Sequence, residues 1–153
     1  MLFCFLFGVL FDGGIELQII QSWQMEGDHV YVQFNPNPIA ARVGDCAVRA
    51  TAKALGISWE EAYIELVLQG LIFADMPSAN NVFGAVLRRN GFKRHTVPNE
   101  CPDCYTVKDF AQEHPKGVYV IGLNNHVVTM INGDWFDSWD SGEEIPVYYW
   151  RLE

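Results

Sequence analysis

Basic charge is what this 153-residue sequence has least of. Ten Lys and Arg stand against nineteen Asp and Glu, for a formal net charge of −9, and no Lys/Arg cluster stands out. A nucleic-acid binder needs a basic footprint for the phosphates, so that class is excluded. Cysteine is sparse as well, with four residues, Cys4, Cys46, Cys101 and Cys104, in unlike contexts. Secreted disulfide scaffolds are shorter and denser in cysteine, so a reducing, cytoplasmic setting is the expectation. Long apolar runs are missing too. Met1 to Phe11 is strongly apolar, but a bilayer span needs about 20 residues. The run also lacks the basic n-region and the small-residue cleavage site of a signal peptide. No repeat, low-complexity tract or interdomain linker is visible.

What the chain does have is the material of one globular domain. Half of its residues are hydrophobic and 14% are aromatic, enough to bury a core at this length. The apolar start admits three readings: a degenerate signal sequence, an extra packed element, or a start-codon artefact. The last is preferred, because Met25 offers another start and Glu26 to Asn37 resembles the opening of a soluble domain. The expected division is therefore an N-terminal extension, 1–24, excluded from the mechanism, and a single domain, 25–153.

Local patterns set out the elements. His29 to Phe34 alternates as a short strand, ended by Asn35-Pro36-Asn37-Pro38. Val43-Gly44-Asp45-Cys46 leads into a helix with apolar Ala47, Ala50, Ala54 and Leu55, stopped at Gly56. Ser58 and Glu61 form a capping-box pattern for a second helix, expected to run to Gly70. A third is expected from Ala79 to Asn90, capped by Ser78, and a short fourth from Thr106 to Glu113. Phe92 to Val97 is a candidate strand. The remainder reads as sheet: Val118–Leu123, then His126–Ile131, an Asn132-Gly133 hairpin, Asp134–Trp139, and a last strand over Ile145–Leu152. Helices first and antiparallel strands afterwards give an α+β class.

The chemistry centres on Cys46. A thiol in the first turn of a helix lies where free amides and the helix dipole favour a thiolate, the working nucleophile. Gly44 permits a sharp turn that exposes the sulfur, and Asp45 is the natural N-cap. A solitary cysteine is otherwise a small buried hydrophobe. His126, opening a strong strand after a turn, supplies the missing base. If Asn132 and Gly133 form the hairpin loop, Ile131 pairs with Asp134, Met130 with Trp135 and Thr129 with Phe136. Asp137 then shares a face with His126 at a diagonal position, where a carboxylate sets the tautomer of the ring. Trp139, opposite His126, would cover the pair. Asp140 falls on the other face and reads as a turn former with Ser141 and Gly142.

These three elements resemble the papain-like cysteine peptidases, in which a helix-borne cysteine is followed by a strand-opening histidine and then an acid or amide. More narrowly, VGDCAVRA, NNHVVTMINGDWFDSWDS and CPDCYTVKDF look like short bacterial and phage cysteine-peptidase-like proteins, similar to the peptidases that cut double-glycine leaders. The resemblance covers Asn35 to Trp150. It implies a papain-like fold with N-terminal helices packed on a C-terminal antiparallel sheet. It also implies a peptide or protein substrate and no cofactor, with Cys46 as nucleophile, His126 as base then acid, and Asp137 as orienter. The oxyanion hole would use the Cys46 N–H and one side-chain amide. Papain-like enzymes carry a Gln shortly before the cysteine where this chain has Ala40. Gln33, Asn35 and Asn37 are the substitutes in reach, with Asn37 preferred. That departure keeps two alternatives open: an inactive phage structural or host-interaction protein, and a peptidoglycan-cleaving cysteine hydrolase.

Other signals are weaker. Cys101 and Cys104 have zinc-knuckle spacing, but a structural zinc wants four ligands and no second cysteine pair exists; His95 and His114 are the residues that could complete a site in principle. A redox pair is a further alternative, and plain loop cysteines the preferred reading. No metal is expected. Trp135, Trp139, Tyr148, Tyr149 and Trp150 read mainly as sheet core, with a substrate groove as the alternative.

Overall fold

The computed structural model describes residues 28–97 and 105–153. The expectations for residues 1–24, for Met25 as a start, and for Cys101 and Cys104 lie outside the described residues. Among those described are four helices, α1 (Cys46–Leu55), α2 (Trp59–Phe73), α3 (Asn80–Arg89) and α4 (Val107–Glu113). Six strands accompany them: β1 (Tyr31–Gln33), β2 (Phe92–Thr96), β3 (Val118–Leu123), β4 (His126–Ile131), β5 (Asp134–Asp137) and β6 (Tyr148–Leu152). No described helix is long and apolar enough to cross a membrane.

The strands form one sheet in the order β1-β5-β4-β3-β6-β2. It is mixed, where an antiparallel sheet was expected: β1 pairs parallel with β5, Val32 beside Phe136 and Gln33 beside Asp137. The ladder extends past the strand ends, since Phe34 N–H donates to the Asp137 carbonyl at 2.7 Å and Trp135 N–H to that of Val30 at 3.2 Å. All other pairings are antiparallel. The class is mixed α+β.

Burial on both faces explains the central strands. VYVIGL and HVVTMI are nearly continuous apolar runs, as strands covered on two sides must be. One core joins α1, α2 and α3 to Val120, Val127, Tyr148 and Trp150. A second joins α4 to Tyr119, Ile121, Val128, Met130 and Trp135. Two contacts seat α1 on the sheet: Thr129 Oγ1 donates to the buried Ala50 carbonyl at 2.8 Å, and Lys53 Nζ lies 3.7 Å from the Phe136 ring centre. The outer side of α2 leaves Ile64, Leu68, Leu71 and Ile72 exposed.

Several local expectations change. The second helix does not stop at Gly70 but continues to Phe73. Gly70 is needed for another reason: a Cβ there would lie 2.6 Å from the Asp75 carbonyl oxygen as the chain folds back. The third helix has Ala79, not Ser78, at its N-cap and no side-chain cap. The fourth is closed by a full capping box between Thr106 and Asp109. At the hairpin, Asn132 and Gly133 have φ of 52° and 87°, the twisted two-residue turn that fits antiparallel strands. Its register is the expected one, with Ile131 opposite Asp134, Met130 opposite Trp135 and Thr129 opposite Phe136.

Candidate active site

Cys46 is the first residue of α1, with Asp45 at the N-cap position. The expected cap is not formed. Asp45 is buried, and its carboxylate turns away from the helix amides to take an ion pair from Arg49, 2.9 Å from Trp59 Nε1 and 3.3 Å from Asn37 Nδ2. No side chain caps the amides of the first turn, and a Cβ built at Gly44 would meet open space. A sulfur at this end of a helix sits in a field that favours its anion.

His126 begins β4, beyond the last recorded β4–β5 pair, and there the strands give way to side-chain contacts. Its Nε2 is 2.6 Å from Asp137 Oδ2. Asp137, only 2% exposed, is fixed on every side. Its Oδ1 accepts from Ser138 N–H at 2.7 Å and faces an Arg49 guanidinium nitrogen at 3.7 Å. With Nε2 on the carboxylate, the second ring nitrogen is the one left for the Cys46 thiol. The diagonal relation read from the hairpin thus becomes a direct contact, and Asp140 is elsewhere: its Oδ1 accepts from Trp135 Nε1 and from Gly142 N–H, each at 3.0 Å.

The electrostatics of the pair follow from these contacts. Burial pushes the Cys46 thiol up, but hydrogen bonding and charge from His126, the Val127 N–H and the Arg49 charge bring it below its ordinary 9.0. Burial likewise pulls His126 down, and hydrogen bonds and charge from Asp137 and Cys46 override it, raising the ring from 6.5 to about 9. Both shifts favour thiolate beside imidazolium at neutral pH.

The pair opens on a cleft of about 800 Å³. Gln33 and Asn35 line it from the β1 side, Arg42 to Gly44 from the loop before the cysteine, and Ser138 and Trp139 from beyond β5. Trp139 is half exposed and its ring lies 5.4 Å from that of His126. The other aromatic groove candidates are otherwise placed: Trp135, Tyr148 and Trp150 are core, and Tyr149 packs against it.

The oxyanion-donor candidates separate. Asn37, preferred from sequence, is buried outside the cleft lining. Its Nδ2 donates to Asp45 and its Oδ1 accepts from Ile39 and Ala41 N–H, so it builds the loop before the cysteine and lies outside the cleft. Gln33 is occupied by Ser138 and Tyr31. Asn35 accepts through Oδ1 from Asn37 N–H at 3.3 Å, and its Nδ2 has no partner among the described residues. Ala40, where papain-like enzymes carry Gln, has φ of 51°, an uncommon backbone state for a residue with a Cβ.

Sequence reasoning missed Arg49, a buried cation three residues after the cysteine that lines the cleft and touches two carboxylates. Its signal was present: an acid and a base four apart, Asp45 and Arg49, at the start of an alanine-rich helix. His95 and His114 are engaged away from this site, His95 with Glu153 and the Tyr149 ring, His114 with the Phe110 carbonyl and ring. No group of three or more His, Cys, Asp or Glu among the described residues is arranged to hold a metal.

Comparison with known proteins finds no match: no family model fits the chain, and no curated protein or solved structure is similar to it.

Proposed function

We propose that the chain is a papain-like thiol hydrolase, a cysteine peptidase that cleaves an amide bond through Cys46, His126 and Asp137. One observation carries the reading: a histidine held through Nε2 by a buried carboxylate at 2.6 Å, beside a thiol at the start of a helix whose charge and its own bear on each other, all on one open cleft. Structural cysteines do not need an oriented imidazole beside them. Acyl transfer does.

The Cys46 thiolate attacks the amide carbonyl carbon, and the carbonyl π electrons move to oxygen. The Cys46 N–H and Asn35 Nδ2 are the donors for that oxyanion. As the intermediate collapses, the C–N bond breaks and His126 protonates the leaving amine. The thioester is then attacked by water, His126 takes the water proton, and Cys46 leaves as thiolate. Asp137 holds the ring and its charge throughout.

A non-catalytic reading draws on one observation, Ala40 in place of the usual Gln. The experiment incubates wild-type protein and Cys46→Ala with a short-peptide library and with peptidoglycan fragments, scoring new termini and a thioester adduct by mass spectrometry. Peptide cleavage by the wild type alone is expected. Cleavage of peptidoglycan fragments only would make it a cell-wall hydrolase. No turnover, with a Cys46 thiol that titrates normally, would make it a binding or structural domain.

A further inference from the structure

We propose that Arg49 is a positioning residue of this site, holding the Asp137 carboxylate on His126 from behind and setting a fixed positive charge beside Cys46. The inference rests on the reading of Cys46 as a nucleophile. Arginine is almost never fully buried unless paired, and Arg49 is 8% exposed between two buried acids. It is paired with Asp45 in the turn before its own helix and approaches Asp137 Oδ1, at the end of β5, to 3.7 Å. Asp137 is thereby divided in function. Oδ2 serves His126, while Oδ1 is pinned by the Ser138 amide and faced by the guanidinium. A carboxylate held at both oxygens cannot rotate away from the ring.

Charges then alternate from one group to the next: Cys46, His126, Asp137, Arg49, Asp45. Neutralising Arg49 alone would need only Asp45, to which the Trp59 indole and the Asn37 amide also donate. The reach toward Asp137 is the part that a helix-capping role does not require. The charged and titratable groups around the thiol come from every element packed on it. They are Arg49 on α1, Asp45 before it, His126 on β4, Asp137 on β5 behind it, and Tyr148 on β6, whose hydroxyl is pushed up by burial and by the Cys46 charge against the pull of Arg94 on β2, the cation over its ring. Of these, Arg49 is the only cation besides the imidazolium that bears on the sulfur from so near.

The test is the pH dependence of Cys46 alkylation by iodoacetamide, read on the Cys46 peptide by mass spectrometry, in wild type, Arg49→Gln, Arg49→Lys and Asp45→Asn. Arg49→Gln is expected to cut the thiolate fraction on the acid side about tenfold, one pH unit, as for loss of a nearby opposite charge. Arg49→Lys keeps the charge and should stay close to wild type. Asp45→Asn, which retains a polar partner for Trp59 but removes a negative charge, should move the profile the opposite way, toward more thiolate. A purely structural pair would instead lower stability in both neutralised variants without opposed titrations. A folded Arg49→Gln with the wild-type profile overturns the proposal. If Arg49→Gln does not fold, an Asp45→Asn profile that is unshifted or shifted toward less thiolate overturns it. A wild-type thiol that titrates normally removes the hydrolase reading itself, an outcome distinct from a depressed wild-type thiol indifferent to Arg49.

Discussion

Replacing Asp137 with Asn is the sharpest perturbation of the site, because it keeps the shape of the side chain and removes its charge. In the wild type, His126 is raised from 6.5 to about 9 against the downward pull of burial. At 1.36 kcal/mol per unit, that rise is worth about 3 kcal/mol in favour of the imidazolium. Its sources are two side chains, Asp137 and Cys46. Loss of the Asp137 charge should therefore lower the His126 titration by about 1–3 units, the range for removing an opposite charge in contact. The Asn oxygen can still accept from Ser138 N–H, so the fold should hold, at less than the 3–5 kcal/mol typical of breaking a buried ion pair outright. The assay is NMR titration of the His126 Cε1 proton, with His29, His95 and His114 as internal references. A His126 that still titrates near 9 in Asp137→Asn would refute the assignment of its charge partner.

Three further outcomes are expected. Stability should vary less steeply with pH in the wild type between about 6.5 and 9 than either group alone would make it, because the two slopes are opposed. The raised His126 gives a contribution that is complete below 6.5 and lost as pH rises through about 9. The lowered Cys46 gives one that is complete above 9.0 and lost as pH falls through its folded value. In Cys46→Ser only the His126 slope stays, so stability should fall with rising pH over that interval, by on the order of 1–2 kcal/mol in urea denaturation; a flat profile would contradict the pairing. Asn35→Ala should lower kcat by roughly 10²-fold with little loss of stability, as for an oxyanion donor. Asn37→Ala should do the reverse, lowering Tm through the loop it ties to Asp45, and kinetics beside thermal melts would show a swap of the two effects. Gly122→Ala should destabilise by about 1–3 kcal/mol, since a Cβ there runs into the Tyr148 ring that lies across it from β6. An unchanged urea midpoint would mean that the ring moves aside at no cost.

The local elements of this protein are written plainly in its sequence, and the contacts between distant ones are not. Asn132-Gly133 fixes a turn, the turn fixes a register, and the register alone brings Asp137 to the face of His126. Cys46 is likewise legible as an N-terminal helix residue, because Gly44, Asp45 and Gly56 punctuate α1. What escapes such reading depends on which polar groups find each other across the fold. Asp45 looks like a cap, but Arg49, Trp59 and Asn37 compete for its carboxylate and win. Asn37 looks like a free amide until Asp45 takes it. The parallel pairing of β1 with β5 also has no local signal, since a strand so short chooses its neighbour by tertiary packing. That pairing matters to the site, because it carries Gln33 and Asn35 to the cleft and hydrogen-bonds the backbone of Asp137.

The most direct test of the central claim is the pH profile of Cys46 alkylation in the wild type and in His126→Ala. In the wild type a reactive thiolate should persist well below the free-cysteine value of about 8.5, and it should be lost without the imidazole. Ordinary thiol titration in both proteins would contradict it, and the cleft would then be a place for binding and not for acyl transfer.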